Sequence, residues 1–223
     1  MQPVLEIYAP DDFALWPVAE WKSFAYLALN GGLDPAEAGI AIMRIAECND
    51  LDPDPEMDDD RPPRPADPTD SFLHGLLTFE HPFIAGGLRV TDTSTGVTFL
   101  PGCCNGLGDW REWSSVTDGS GLAGFGHDPD ALAERIGDTV RLTLDREQSD
   151  SPVIELSVTE LRHLLADAER DLTDFYRLAV DWLAQHLPDQ AIRVTAALAD
   201  ALDLPQPNAA PWKPPEHPDH VDA

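Results

Sequence analysis

From Val158 to about His186, apolar residues return every three or four positions without a break. Leu161, Leu165, Ala168, Leu172, Phe175, Ala179 and Trp182 fall on one stripe of a helix about eight turns long, at 3.6 residues per turn. Ser157-x-x-Glu160 opens it as a capping box, serine to backbone and glutamate back to the cap. Asp167, Glu169, Asp171 and Asp174 occupy the opposite side and read as a solvated face. A helix of this length cannot bury its stripe alone. Pro188 starts a second helix carrying Ala191, Thr195, Leu198 and Leu202, so the C-terminal part is an αα-hairpin that must lie on a sheet or on other helices.

Strand patterns supply that sheet. Phe72 to Phe79 reads as a strand, and Gly87 to Asp92 and Val97 to Leu100 flank the turn Thr93-Ser94-Thr95-Gly96 as a hairpin. Thr139 to Leu144 alternates Val140, Leu142 and Leu144, and Val153 to Leu156 returns antiparallel to it after a polar turn. Between the hairpins, Asp128-Pro129 reads as the start of a short helix that Gly137 closes. Near the N-terminus, Asp34-Pro35-Ala36-Glu37 sets an N-cap, a first-turn proline and a capping-box glutamate in order. A helix ending near Cys48 follows, and Phe13 to Leu29 reads as helical in its second half. The expected class is α+β: an antiparallel sheet of two hairpins packed with the C-terminal αα-hairpin and N-terminal helices.

Proline and charge mark what lies outside the core. Residues 49–71 hold nine acidic residues and six prolines, and residues 205–223 hold six more prolines. Proline removes a donor and restricts its predecessor, so the first segment reads as an exposed acidic loop and the second as a disordered tail after a single domain spanning 1–204. With 14 Lys plus Arg against 41 Asp plus Glu, the formal charge is −27. The only lysines are Lys22 and Lys213, so direct nucleic-acid binding is not expected, because phosphates need clustered cations. No apolar run reaches the roughly 18 residues that span a bilayer, and no basic leader precedes an apolar stretch, so a cytoplasmic protein is expected. Three cysteines, Cys48, Cys103 and Cys104, do not make a disulfide framework, and reduced thiols are expected.

The segment from Leu100 to Trp113, LPGCCNGLGDWREW, concentrates the unusual residues. Trp110 and Trp113 share one face of a helical turn, and with Asp109 and Arg111 they have the composition of a binding hot spot. The same rings equally serve as caps on the sheet, the commoner use of paired aromatics. This segment, with Gly126-His127-Asp128-Pro129 and the acidic helix from Glu160 to His186, resembles a group of uncharacterised bacterial proteins carrying LPGCC-x-GL-x-DWREW. The resemblance covers about residues 72–204 and implies no activity.

Other chemistry is sparse. Adjacent Cys103 and Cys104 do not form the C-x-x-C chelate of zinc or redox sites, and no metal or cofactor is expected. Glu160-x-x-His163 matches the di-iron helix pattern but has no second copy, and Glu160 is already a cap. Phosphate-loop, dinucleotide and nucleophile-elbow signatures are missing from the sequence. The leading expectation is therefore an acidic protein-binding module, an immunity-type or inhibitor protein for a basic protein partner, with Asp109, Trp110, Arg111 and Trp113 at its surface. The alternative is a small-molecule enzyme using Cys103 or Cys104 as a thiol with His127 as its base.

Overall fold

The structure, a computed structural model, describes residues 1–8, 12–54 and 59–205. The chain opens with strand β1 (Gln2–Ile7), whose Val4, Leu5 and Ile7 are fully buried. It pairs antiparallel with β2 (Ala25–Ala28) on one side and β3 (Gly86–Thr91) on the other. Strand β4 (Thr98–Phe99) completes a first sheet of order β2-β1-β3-β4. The β3–β4 hairpin expected from the sequence is present. Its turn is tied by Asp92, whose carboxylate accepts from the Ser94 amide (2.8 Å), the Ser94 hydroxyl (2.7 Å) and the Thr95 hydroxyl (2.7 Å).

A second antiparallel sheet runs β5 (Leu122–Gly124), β6 (Leu132–Ile136), β7 (Thr139–Thr143) and β8 (Val153–Ser157) in order. Across it Ala123, Ala133, Leu142 and Ile154 lie side by side in register, and the last three are buried. One residue along, Arg141 meets Glu155 on the solvent face at 2.8 Å, the period-two alternation that separates core from surface. The two hairpins read from the sequence thus belong to two sheets.

Helix α1 (Pro35–Glu47) starts as expected: Asp34 accepts from the Ala36 and Glu37 amides, and Glu37 accepts from the Asp34 amide at 2.9 Å. After the short helix α3 (Ser114–Asp118), helix α4 (Val158–His186) spans the expected residues, with the Glu160 amide donating to Ser157 Oγ at 3.1 Å. Its stripe touches β1 of the first sheet, β7 and β8 of the second, and helix α1. Leu161, Ala168, Leu172, Phe175, Ala179 and Trp182 are buried in it, whereas Leu165 is only half-buried. Helix α5 (Ala191–Ala201) returns along α4, starting after the turn at Pro188.

Three expectations are corrected. Phe72 to Phe79 is not a strand but most of helix α2 (Pro68–Thr78), whose N-cap Asp67 accepts from the Thr69 and Asp70 amides. Asp67-Pro68 uses the same start signal as Asp34-Pro35, masked in the sequence by the acidic, proline-rich residues around it. A Cβ on Gly75 would lie 1.7 Å from the Asn49 carbonyl, so α2 packs on the end of α1 only because this residue is glycine. The second half of Phe13 to Leu29 is not helical but a turn leading into strand β2. Asp128-Pro129 leads into strand β6 rather than a helix, and Gly137 (φ +66°) sits in the tight β6–β7 turn, where a left-handed residue matches the strand twist.

The acidic loop is pinned where it is described. Arg61 pairs with Asp59 at 2.7 Å and lies 3.7 Å over the Phe79 ring, while Arg64 pairs with Asp52 at 2.6 Å and with Asp50. Its residues 55–58 and all but Pro205 of the tail lie outside the described residues.

Candidate functional site

Past β4, the chain from Leu100 to Asn105 is fastened on two sides. From the first sheet, the Tyr26 hydroxyl donates to the Pro101 carbonyl (3.1 Å), and the Asn105 side-chain amide donates to the Gly86 carbonyl (2.7 Å). From the second side, the segment after β5 zips onto it antiparallel. The Gly102 amide donates to Phe125 O (2.7 Å), the Cys103 amide to His127 O (2.6 Å) and the His127 amide to Cys103 O (3.1 Å). Two glycines permit this approach. A Cβ on Gly102 would sit 2.3 Å from Pro129 O, and one on Gly126 (φ +88°) would sit 2.5 Å from Cys103 O.

That pairing carries His127 to the cysteines. Neighbouring side chains on an extended chain point apart, but Cys104 adopts φ +64°, and the two Sγ atoms lie 3.4 Å from each other. The donor atoms of Cys103, Cys104 and His127 all fall within 4.8 Å of one another, and all three residues are exposed. His127 Nδ1 faces Asp128 Oδ2 at 3.2 Å. The Cys103 hydrogen bond, then that of His127, draws the Cys104 thiol below its ordinary value, while the same contact with Cys104 pushes Cys103 up. Asp128 first and Cys104 second raise His127. Cys48 lies outside the cluster and is half-buried, and burial pushes its thiol up.

Beneath the loop lies an aromatic stack. Trp113, 1% exposed, stacks on Phe125 with centroids 4.2 Å apart, and Phe99 meets both rings edge-on at 5.7 and 5.9 Å. Phe99 precedes the cysteine loop and Phe125 precedes His127, so Trp113 anchors both halves of the site. Trp110, also buried, donates its indole N–H to Leu202 O at 3.0 Å. Arg111 lies over that ring and reaches Glu169 (3.1 Å) and Asp203 (2.7 Å). Of the four residues expected at a binding surface, Asp109 and Arg111 are exposed, while Trp110 and Trp113 belong to the interior. This correction follows from a 3₁₀ helix, Leu107–Trp113, that turns both rings inward. Glu160 and His163 lie outside the metal-type donor cluster found among the described residues.

A cleft of about 780 Å³ lies elsewhere, between α4 and the turn before α1. Two of its polar side chains are tied to neighbours: Asp174 to Arg177 at 2.8 Å, and the Trp182 indole to Pro35 O at 2.7 Å. Volume marks that cleft, but the convergent reactive side chains are at Cys103, Cys104 and His127. The sequence contained both halves of the site, each beside a glycine, but the antiparallel pairing that joins them is a tertiary contact. Among the described residues no helix is long and apolar enough to cross a membrane. Comparison with family models, with curated proteins and with solved structures finds no match.

Proposed function

We propose that the protein is a thiol-dependent enzyme in which Cys104 is the nucleophile. The observation that carries this reading is the convergence of the Cys103, Cys104 and His127 donor atoms within 4.8 Å of one another, with Asp128 on His127 Nδ1, on an exposed loop over an aromatic base. Nucleophile, base and orienting carboxylate in that order are the arrangement thiol catalysts use. The Cys104 proton passes to the imidazole as a bond forms from Sγ to an electrophilic carbon of a small molecule. The leaving group then departs with that proton, His127 acting first as base and then as acid. Asp128 holds the ring, and Cys103 donates a hydrogen bond to the sulfur. The acidic protein-binding reading draws on the net charge of −27 without an aromatic anchor, because Trp110 and Trp113 are interior.

The test is competitive alkylation with iodoacetamide, read by peptide mass mapping. Cys104 should label fastest and Cys48 slowest, and His127→Gln should slow Cys104 at least about tenfold. Labelling of Cys104 no faster than that of Cys103 overturns the proposal.

A further inference from the structure

We infer that Cys103 Sγ, Cys104 Sγ and a ring nitrogen of His127 form a three-donor site for a borderline-soft divalent cation of the Zn²⁺ class, with a fourth position open to solvent. As a cap on the reactive thiol this rests on the function proposed above. As a binding site it stands on geometry alone.

A tetrahedral zinc with bonds of about 2.3 Å to sulfur sets two sulfurs about 3.8 Å apart. The thiols stand at 3.4 Å and all three donors lie within 4.8 Å of one another, so small side-chain rotations close the site. A disulfide fits the pair less well. Consecutive Cα atoms are about 3.8 Å apart, short of the roughly 4.4 Å that ordinary disulfides span, whereas a shared metal needs no sulfur–sulfur bond. The donors also select the ion, because thiolate and imidazole favour zinc-like cations over Mg²⁺ or Ca²⁺, which take oxygen. Two thiolates neutralise one divalent charge, and their protons leave to the buffer. Asp128, 3.2 Å from His127 Nδ1, is the carboxylate that orients a metal-bound histidine through its far nitrogen. Around the site, a net charge of −27 raises the local concentration of cations.

The experiment titrates the full, reduced, chelator-treated chain with Co²⁺ and then with Zn²⁺. One equivalent of Co²⁺ should produce sulfur-to-cobalt charge transfer and tetrahedral visible bands, and Zn²⁺ should bleach them. Asp128→Asn should weaken binding about 10–100-fold, and Cys103→Ser, Cys104→Ser and His127→Gln should weaken it more. Cys48→Ser should leave it unchanged. Independently of any variant, Zn²⁺ should protect Cys103 and Cys104 but not Cys48 from iodoacetamide. Absence of the bands, their loss in Cys48→Ser, or protection of Cys48 alone overturns the site. So does a reduced protein that takes no metal and on oxidation forms only a Cys103–Cys104 disulfide. Fast labelling of Cys104 with no cobalt signal defeats the metal site and leaves the thiol function standing. A cobalt signal with slow labelling of the metal-free chain does the reverse.

Discussion

Gly126 holds φ +88°, and a Cβ there would lie 2.5 Å from the Cys103 carbonyl, so two separate demands meet at one residue. Gly137, at φ +66° with nothing within 4 Å of a Cβ, faces only the first of them. Gly137→Ala should therefore lose about 1–2 kcal/mol, the strain of a left-handed alanine. Gly126→Ala should lose more and also slow Cys104 alkylation, because the clash pushes the His127 segment away from the thiols. Equal losses from urea melts, with unchanged labelling, would mean the close approach does not hold the site. Asp92 offers a test by pH. The Thr95 hydroxyl, then Ser94, hold its carboxyl down to about 2, below the unfolded value of about 3.9. A depressed carboxyl contributes stability above the unfolded value and loses it as pH falls through about 2. An NMR titration should find that low midpoint, and Thr95→Ala should raise it.

At the scale of elements, Trp113 ties the thiol loop to the second sheet's leading segment through Phe99 and Phe125. Trp113→Ala should cost about 3–5 kcal/mol, as for other buried aromatics. Trp113→Phe should keep a stacked ring on Phe125, and its Cys104 labelling rate separates positioning from mere stability. A rate unchanged in both variants would deny Trp113 any part in holding the site. Leu172→Ala in α4 should cost about 2–5 kcal/mol in a denaturant melt, since that side chain is wholly buried. Helix α4 was legible because cap and stripe agree over many turns. Helix α2 is not legible in the same way, since a proline-rich acidic stretch runs into its first turn and gives Asp67-Pro68 the look of a loop. The β6–β7 turn is ambiguous in the sequence because glycine at positive φ ends helices and turns hairpins alike, and only the alternation of Ala131 and Ala133 separates the two. The site was half legible: Cys103, Cys104 and His127 stood out as residue types. Their meeting depends on backbone pairing between residues 102–103 and 125–127, which has no periodic signal in the chain.

Over the whole molecule, one buried cluster joins Leu5 and Leu88 of the first sheet to Ala133 and Leu142 of the second, with α4 between them. Around this core the chain carries 41 acidic and 14 basic residues. At 0.01 M salt the screening length is about 30 Å, longer than the roughly 17 Å radius of gyration expected for a folded chain of this length, so like charges repel across the entire molecule. At 0.15 M it falls to about 8 Å, and only near neighbours interact. Salt also weakens the exposed pairs, such as Arg141 with Glu155 and Arg162 with Asp118, but such pairs are worth about 0–1 kcal/mol each. Unfolding spreads the carboxylates apart and relieves the repulsion, so screening favours the folded state more than it harms the pairs. The melting temperature should therefore rise between 0.01 and 0.15 M NaCl, by far-ultraviolet circular dichroism and tryptophan fluorescence alike. The two probes should coincide, because a single core unfolds as one unit. A melting temperature that falls with salt would give the balance to the local ion pairs, and two separated transitions would divide the core between the sheets.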